Sequence, residues 1–575
     1  MRRFSSIASL LALTTLCMCG GSELARHQHH DGGTDEDAGD EDDAGDEDDG
    51  GPTDATFVDA NDASDAGSDT GTDDAASIDA SDGATDANID AGPRTLPEIT
   101  VGAANHVLLK GTIVTPDVVI DGEVLVESTL ITCVAAGNGC ESMPNATGAT
   151  IIVTHGVIAP GLIDTHNHIL FDVFDGDDWL PSKVYQDHTQ WTAEARYGQM
   201  LDVKQCLADD SQGKPTWCGN TPYGTSTGSL RCEMDKWGEL KGLVSGTTSI
   251  VGLPGTSAAC FGSLARSIDV SQNGLTTGDR IQTSATFPPS DPTGVCNNFS
   301  TMSTDAYLIH VGEGDDPKAL AEFTTLGNAG SGADAGPGCL LAPQTAITHG
   351  VAFGATEFQS MATHGMKLTW SPASNLALYQ ATADIPAALD AGVTIALGPD
   401  WSMGGSQNML DELRVADAYD DAHWGNRLSP KDIVTMATKN GAAALALTSQ
   451  LGTIEVGKLA DLAVYSGDPS APYDAILAAT PRETALVMVG GVVLYGDSVV
   501  KAAGPATPGC DTIDVCGASK FLCTATTSSA NKLGQTFGDI ETALQTGMTA
   551  ADTQLATVSP GSKPFAPLTP LVKCK

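Results

Sequence analysis

Residues 156–172, GVIAPGLIDTHNHILFD, constrain this chain more than any other stretch. Val157, Ile158, Leu162 and Ile163 make an apolar run that ends in His166-Asn167-His168. A short apolar run bounded by Gly and Pro reads as a buried strand. Side chains at i and i+2 of a strand share a face, so His166 and His168 turn the same way. Two imidazoles on one face supply half of a metal site. A lone His-x-His serves equally as two solvated or hydrogen-bonded histidines, so the other half must come from downstream.

Downstream, strand-like and helix-like segments alternate, which points to βα units and a parallel sheet. The strand candidates are 162–168, 244–251, 264–270, 280–286, 306–310, 345–349, 366–370 and 393–398. Eight such units fit an α/β fold, a (β/α)8 barrel spanning 161–449. After the first strand comes an insertion, 172–243, with Trp179, Tyr185, Trp191, Tyr197, Trp217 and Tyr223. Loops at the C-terminal ends of barrel strands form the active-site rim, so the insertion is a candidate lid and substrate wall. Its aromatics serve equally as a small core of its own. Short alternating runs flank the barrel at 95–160 and 450–503, and together they predict a small composite β-sandwich.

Several of these segments carry a family resemblance. PGLIDTHNH resembles the first barrel strand of the amidohydrolase superfamily, metal-dependent hydrolases that include cytosine deaminase, chlorohydrolases and imidazolonepropionase. YLIHVGEG (307–314) is similar to the fifth strand, AITHGVAF (346–353) to the sixth and SPASNLALY (371–379) to the segment after the seventh. TIALGPDW (394–401) resembles the eighth strand, and NGAAALALTSQLGTIEVGKLADLAVY (440–465) the return into the small β domain. The resemblance covers roughly residues 96–500 in the family's order.

The resemblance implies one divalent metal ion, Zn2+ or else Fe2+, held by His166, His168, His310 and Asp400. Each lies at the C-terminal end of a predicted barrel strand, and three nitrogens with one carboxylate suit either ion. Glu313, three residues past His310, would point away on a continuing strand, but Gly312 and Gly314 predict a turn that returns it over the mouth. There it would shuttle protons between the attacking water and the leaving nitrogen. His349 would hydrogen-bond the reacting centre and stabilise its developing charge. Asp400 would also take the water's proton. RIQTSATF, the fourth-strand candidate, contains no Lys, which resembles the mononuclear subtype. His155, His188, His364 and His423 match no role, although His188, in the insertion, could contact substrate. The implied activity is hydrolysis of a carbon–nitrogen bond in a small heterocycle. Two alternatives stay open: a chlorohydrolase-like displacement, and a surface-tethered binding protein on the same fold.

The ends of the chain place it. Arg2-Arg3, an apolar run from Ile7 to Met18 and Leu16-Cys17-Met18-Cys19-Gly20 read as an export signal, residues 1–19. The last five resemble a lipoprotein box with Cys19 lipidated, although Met18 departs from the usual small residue. A membrane partner through that anchor, and a cell-envelope location, are therefore expected. The net charge is −45, and residues 31–92 alone hold 23 Asp and Glu with no Lys or Arg. Such a tract cannot repay the entropy of folding, so 20–94 reads as an extended disordered tether. No basic face suggests nucleic acid. Beyond Cys17 and Cys19 there remain 12 cysteines, an even number that in an exported chain predicts disulfides. Cys133–Cys140 and Cys296–Cys339 are the candidate pairs. Residues 504–575 fall outside the resemblance and hold four cysteines around a helix expected at 530–547.

Overall fold

The computed structural model describes residues 94–209, 213–218, 229–252, 264–268, 274–276, 280–332, 336–505, 509–525 and 534–574. The export signal, Cys19 and the acidic tract lie outside the described residues, as does Tyr223. Contacts divide the chain after Ala75, and all that is described falls in the second unit. Among the described residues no helix is long and apolar enough to cross a membrane.

Parallel strands stand at Leu162–Asp164, Thr247–Ile250, Arg266–Ser267, Ile281–Ser284, Ala306–Val311, Thr345–His349, Lys367–Trp370 and Thr394–Leu397. Every residue of Ala306–Val311 and of Thr345–His349 is buried. Strands covered on both faces need such near-continuous apolar runs. The first three strands form one sheet in chain order and the other five form a second. The two sheets meet where the first and eighth strands run on past their ends. Thr165 N–H donates to Leu397 O at 3.2 Å, Asp400 N–H to His166 O at 2.9 Å, and Asn167 pairs with Asp400 in a parallel bridge. Among the described residues no ladder joins the third strand to the fourth. The first strand is shorter than the expected 162–168. It stops at Asp164, and the histidines follow in an extended segment bonded to Val251 O on the other side.

The flanking runs form one ten-stranded, mainly antiparallel sheet, where a small sandwich was expected. Ala149–Pro160 pairs with Leu462–Tyr465, so the segments before and after the parallel strands share this sheet. Breaks in register at Val464/Tyr465 and Val487/Met488 let so long a sheet bend. Leu108 and Leu125 pack on one face with Cys133 and Cys140, while Val107, Leu109, Val124 and Val126 pack on the other. Arg266 forks onto Asp461 at 2.7 and 2.9 Å, tying the third parallel strand to this sheet.

Residues past 504 extend the same sheet. Gly509–Val515 and Ala518–Ala525 add a hairpin at its edge. The C-terminal helix runs from Phe537 to Val558, later than the 530–547 expected, because Thr536 and Asp539 form a capping box that starts it. The tail beyond the helix lies against the insertion. Arg196 stacks on Phe565 at 3.6 Å, Lys573 pairs with Asp175 at 2.7 Å, and Gln199 donates to Ser559 and Ser562. Disulfides join Cys133–Cys140, Cys206–Cys218, Cys296–Cys339, Cys510–Cys523 and Cys516–Cys574. Both candidate pairs are among them, and Cys232 is also disulfide-bonded.

Candidate metal centre

The folded chain brings His166, His168, His310, His349 and Asp400 together, although the first and last are 234 residues apart. His166 Nε2 lies 2.9 Å from Asp400 Oδ1, and His168 Nε2 lies 3.4 Å from the same oxygen. His168 Nε2 is 3.3 Å from His310 Nε2. Ligands about 2.0–2.2 Å from a tetrahedral ion sit about 3.3–3.6 Å from one another. Ligand atoms of His166, His168 and Asp400 lie close enough to share one small divalent cation, and those of His166, His310 and His349 form a second such group.

The surroundings prepare those donors. His310 Nδ1 bonds to the carbonyl of Ser284 at 3.2 Å, which leaves the Nε2 lone pair facing the cluster. So the fourth strand contributes a main-chain carbonyl to this site. Burial and the neighbouring histidines push the His310 pKa well down. Burial chiefly takes His168 to about 3. Both rings are thus neutral at ordinary pH, the form that binds metal. Burial works against the Asp400 carboxylate, but His166, His349 and His168 outweigh it and hold the group ionised. Asp164 accepts from His166 N–H at 3.0 Å and from Asn167 Nδ2 at 3.0 Å, fixing the turn of the His-x-His segment.

The backbone bends sharply at three of the sites. His349 and Asp400 adopt φ of 73° and 72°, and Gly312 one of 72°. Left-handed conformations cost a non-glycine residue of order 1–3 kcal/mol, and they gather at functional sites. At Gly312 the fifth strand stops, and the next residue turns back, as the flanking glycines predict. Glu313 is buried, its Oε2 3.9 Å from His349 Nε2. Burial raises its pKa to about 7, against the pull of His188. The carboxyl is therefore poised to gain or lose a proton near neutrality.

His349 Nδ1 lies 2.9 Å from Asn375 Oδ1, and Asn375 Nδ2 donates to Thr382 Oγ1 at 3.3 Å. In that arrangement Nε2 of the neutral ring is an acceptor, and it becomes a donor on taking a proton. Nε2 is buried with no partner in the protein. Burial brings His349 down to about 4. Asp400 is no helix cap, since Asn408 caps the helix that follows. His188 pairs with Glu322 at 2.9 Å, His155 with Glu98, and His423 stacks on Tyr419. His364 bonds within its own helix.

Three of the insertion's aromatics form a small core of their own. Trp179, Trp191 and Tyr197 pack on one another, and all three meet Trp401, the residue after Asp400. Trp401 in turn lies 5.7 Å from the His168 ring. Sequence reasoning assigned no role to Trp401, Tyr379 or Asn375. The only local signal for the last two was their place in SPASNLALY.

Residues 306–494 match the amidohydrolase family model. The chain is 27% identical over 357 residues to a 5-methylthioadenosine/S-adenosylhomocysteine deaminase of Haloarcula marismortui, covering 55% of this chain and 74% of that protein. A protein of the same name from Natronomonas pharaonis is 25% identical over 427 residues, 68% of this chain and 92% of its own. Among solved structures, guanine deaminase from Bradyrhizobium japonicum aligns with a TM-score of 0.49 at 16% identity, covering 68% of this chain and 100% of that one.

Proposed function

We propose that this chain is a metal-dependent hydrolase of the amidohydrolase superfamily, acting on carbon–nitrogen bonds other than peptide bonds, and that it deaminates an aminopurine nucleoside. One observation carries the reading: a buried carboxyl poised near neutrality, Glu313, stands beside His349 at the edge of the cluster of histidines and Asp400. Loss of ammonia needs such a group, because the departing nitrogen must be protonated as its bond to carbon breaks. The relatives' names supply the nucleoside class.

His166, His168, His310 and Asp400 would hold one divalent ion, zinc by its preference for nitrogen-rich tetrahedral sets. Bound there, the ion would lower the pKa of a water to about 7. Asp400 would take a proton from the attacking water as the water's oxygen adds to the ring carbon. Glu313 delivers a proton to the leaving amine. His349, held by Asn375, binds at the reacting carbon's face. Trp401, with Trp191 and Tyr197 behind it, offers a flat apolar wall on which a purine would stack. The eight parallel strands are read as one closed (β/α)8 barrel, supported by the seam between the first and eighth. The apolar run and cysteine box support an enzyme exported and lipid-anchored at Cys19, with the acidic tract as its tether.

The test is ammonia release by zinc-loaded protein offered 5-methylthioadenosine, S-adenosylhomocysteine, adenosine and guanine. Turnover of at least one nucleoside is expected. No ammonia from any of them, with chloride released from a chlorinated heterocycle, would replace deamination by displacement.

A further inference from the structure

The insertion grips the loop that carries Glu313. His188 N–H donates to Glu313 O at 3.2 Å, and Asp315 N–H to Gln186 O at 2.8 Å. Asp187 and Gly314 form an antiparallel bridge. A Cβ at Gly314 would stand 2.3 Å from Gln186 O, so the two backbones are as close as glycine allows. A side-chain chain runs alongside. Trp191 Nε1 bonds to Tyr379 Oη at 2.9 Å, and Tyr379 Oη bonds to Glu313 Oε1 at 2.8 Å. All three residues are buried.

The chain runs one way. An indole nitrogen can only donate, so Trp191 occupies a lone pair of the Tyr379 oxygen. The phenolic proton is donated to Glu313 Oε1, the one acceptor it meets among the described residues. Oε1 must accept, and any proton Glu313 carries belongs on Oε2. That is the oxygen 3.9 Å from His349 Nε2, itself without a partner.

We propose that Trp191 and Tyr379 are positioning residues, which aim the transferable proton of Glu313 by holding Oε1 as an acceptor and leaving Oε2 toward the reacting centre. The proposal rests on the reading of Glu313 as the proton carrier. It gives the insertion a part in the chemistry: without helix His188–Trp191 in place, Tyr379 can turn its proton elsewhere and the carboxyl loses its preferred oxygen. The insertion's docking and a competent acid are thereby one event.

The experiment compares zinc-loaded full-length wild type with Tyr379→Phe, Trp191→Phe, the double variant and Glu313→Gln. Each is assayed for metal content, KM, kcat and the pH dependence of kcat on the best nucleoside. Tyr379→Phe should keep its metal and change KM less than about threefold, while kcat falls about 10-fold or more. Because the phenol favours the ionised carboxylate, the limb that reports Glu313 should move to higher pH. Trp191→Phe should shift both in the same sense, by less. The double variant should be no slower than Tyr379→Phe, since one chain of hydrogen bonds is broken only once. Wild-type kcat and pH profile in Tyr379→Phe would overturn the proposal, and so would additive losses in the double variant. A raised KM with an unmoved pH limb would also overturn it, leaving a packing role. Glu313→Gln separates the two levels. If it is as active as wild type, the proton-carrier reading falls; if it is inactive while Tyr379→Phe is normal, only the positioning role falls.

Discussion

Gly398→Ala tests how the metal set is assembled. Gly398 follows the eighth strand, two residues before Asp400. A Cβ there would meet His166 N at 2.6 Å, His166 Cβ at 2.8 Å and His166 O at 2.9 Å. None of these is the movable end of a side chain. His166 cannot retreat easily, since its N–H is bonded to Asp164 and its carbonyl accepts from Asp400 N–H. To pass from 2.6 Å to ordinary contact at 3.4 Å, the segments carrying His166 and Asp400 must separate by about 0.8 Å. A metal site tolerates roughly ±0.2 Å in its ligand distances, and a misplacement of about 1 Å can cost about 10²-fold in rate. Overpacking of one methyl costs about 1–3 kcal/mol, so the variant should still fold. We expect it to melt several degrees lower, to hold well under one zinc per chain in conditions that saturate wild type, and to lose about 10²-fold in kcat/KM. Metal analysis and steady-state assays on the same preparation measure both. Full zinc with wild-type turnover would refute the close approach of these two segments as a requirement of the site.

Other outcomes follow from the same geometry. Glu313→Gln should keep about one metal per chain and lose about 10²–10⁴-fold in turnover, whereas His310→Ala should lose the metal itself; equal metal loss in both would make Glu313 a ligand. Glu412 is wholly buried, and burial raises its pKa from 4.5 to about 8. The folded state therefore holds a proton that the unfolded state releases, and wild-type stability should fall as pH rises from about 4.5 to about 8. Glu412→Gln carries no such proton, so its stability relative to wild type, read from urea unfolding at each end of that window, should climb; a pH-independent difference would contradict the assignment. Denatured, unreduced mature protein should show almost no free thiol, and several free thiols per chain would break the disulfide framework. A fatty-acid analogue should label wild type and spare Cys19→Ala, and equal labelling would remove Cys19 as the anchor.

Much of the site was legible in one dimension because its signals are local. His166 and His168 sit on one motif, His310 and Glu313 on another, and the glycines around Glu313 announce the turn that buries it. Short strand-like runs, alternating with helix-like segments, located the parallel strands to within a few residues. Other features have no local signature. Nothing near Trp191 or Tyr379 tells that they touch, 188 residues apart. Gly398 reads as an ordinary turn glycine until His166 is beside it. Asn375 is one polar residue on a short helix until His349 meets it. The tail past 558 gave no hint that it lies on the insertion, and the ten-stranded sheet could not be told from a small sandwich. Periodicity reports which face of an element is apolar, and that is set by neighbours in the chain. Which oxygen of Glu313 is held, and how closely two strands pass, depend on atoms brought together by packing, so only the tertiary structure decides them.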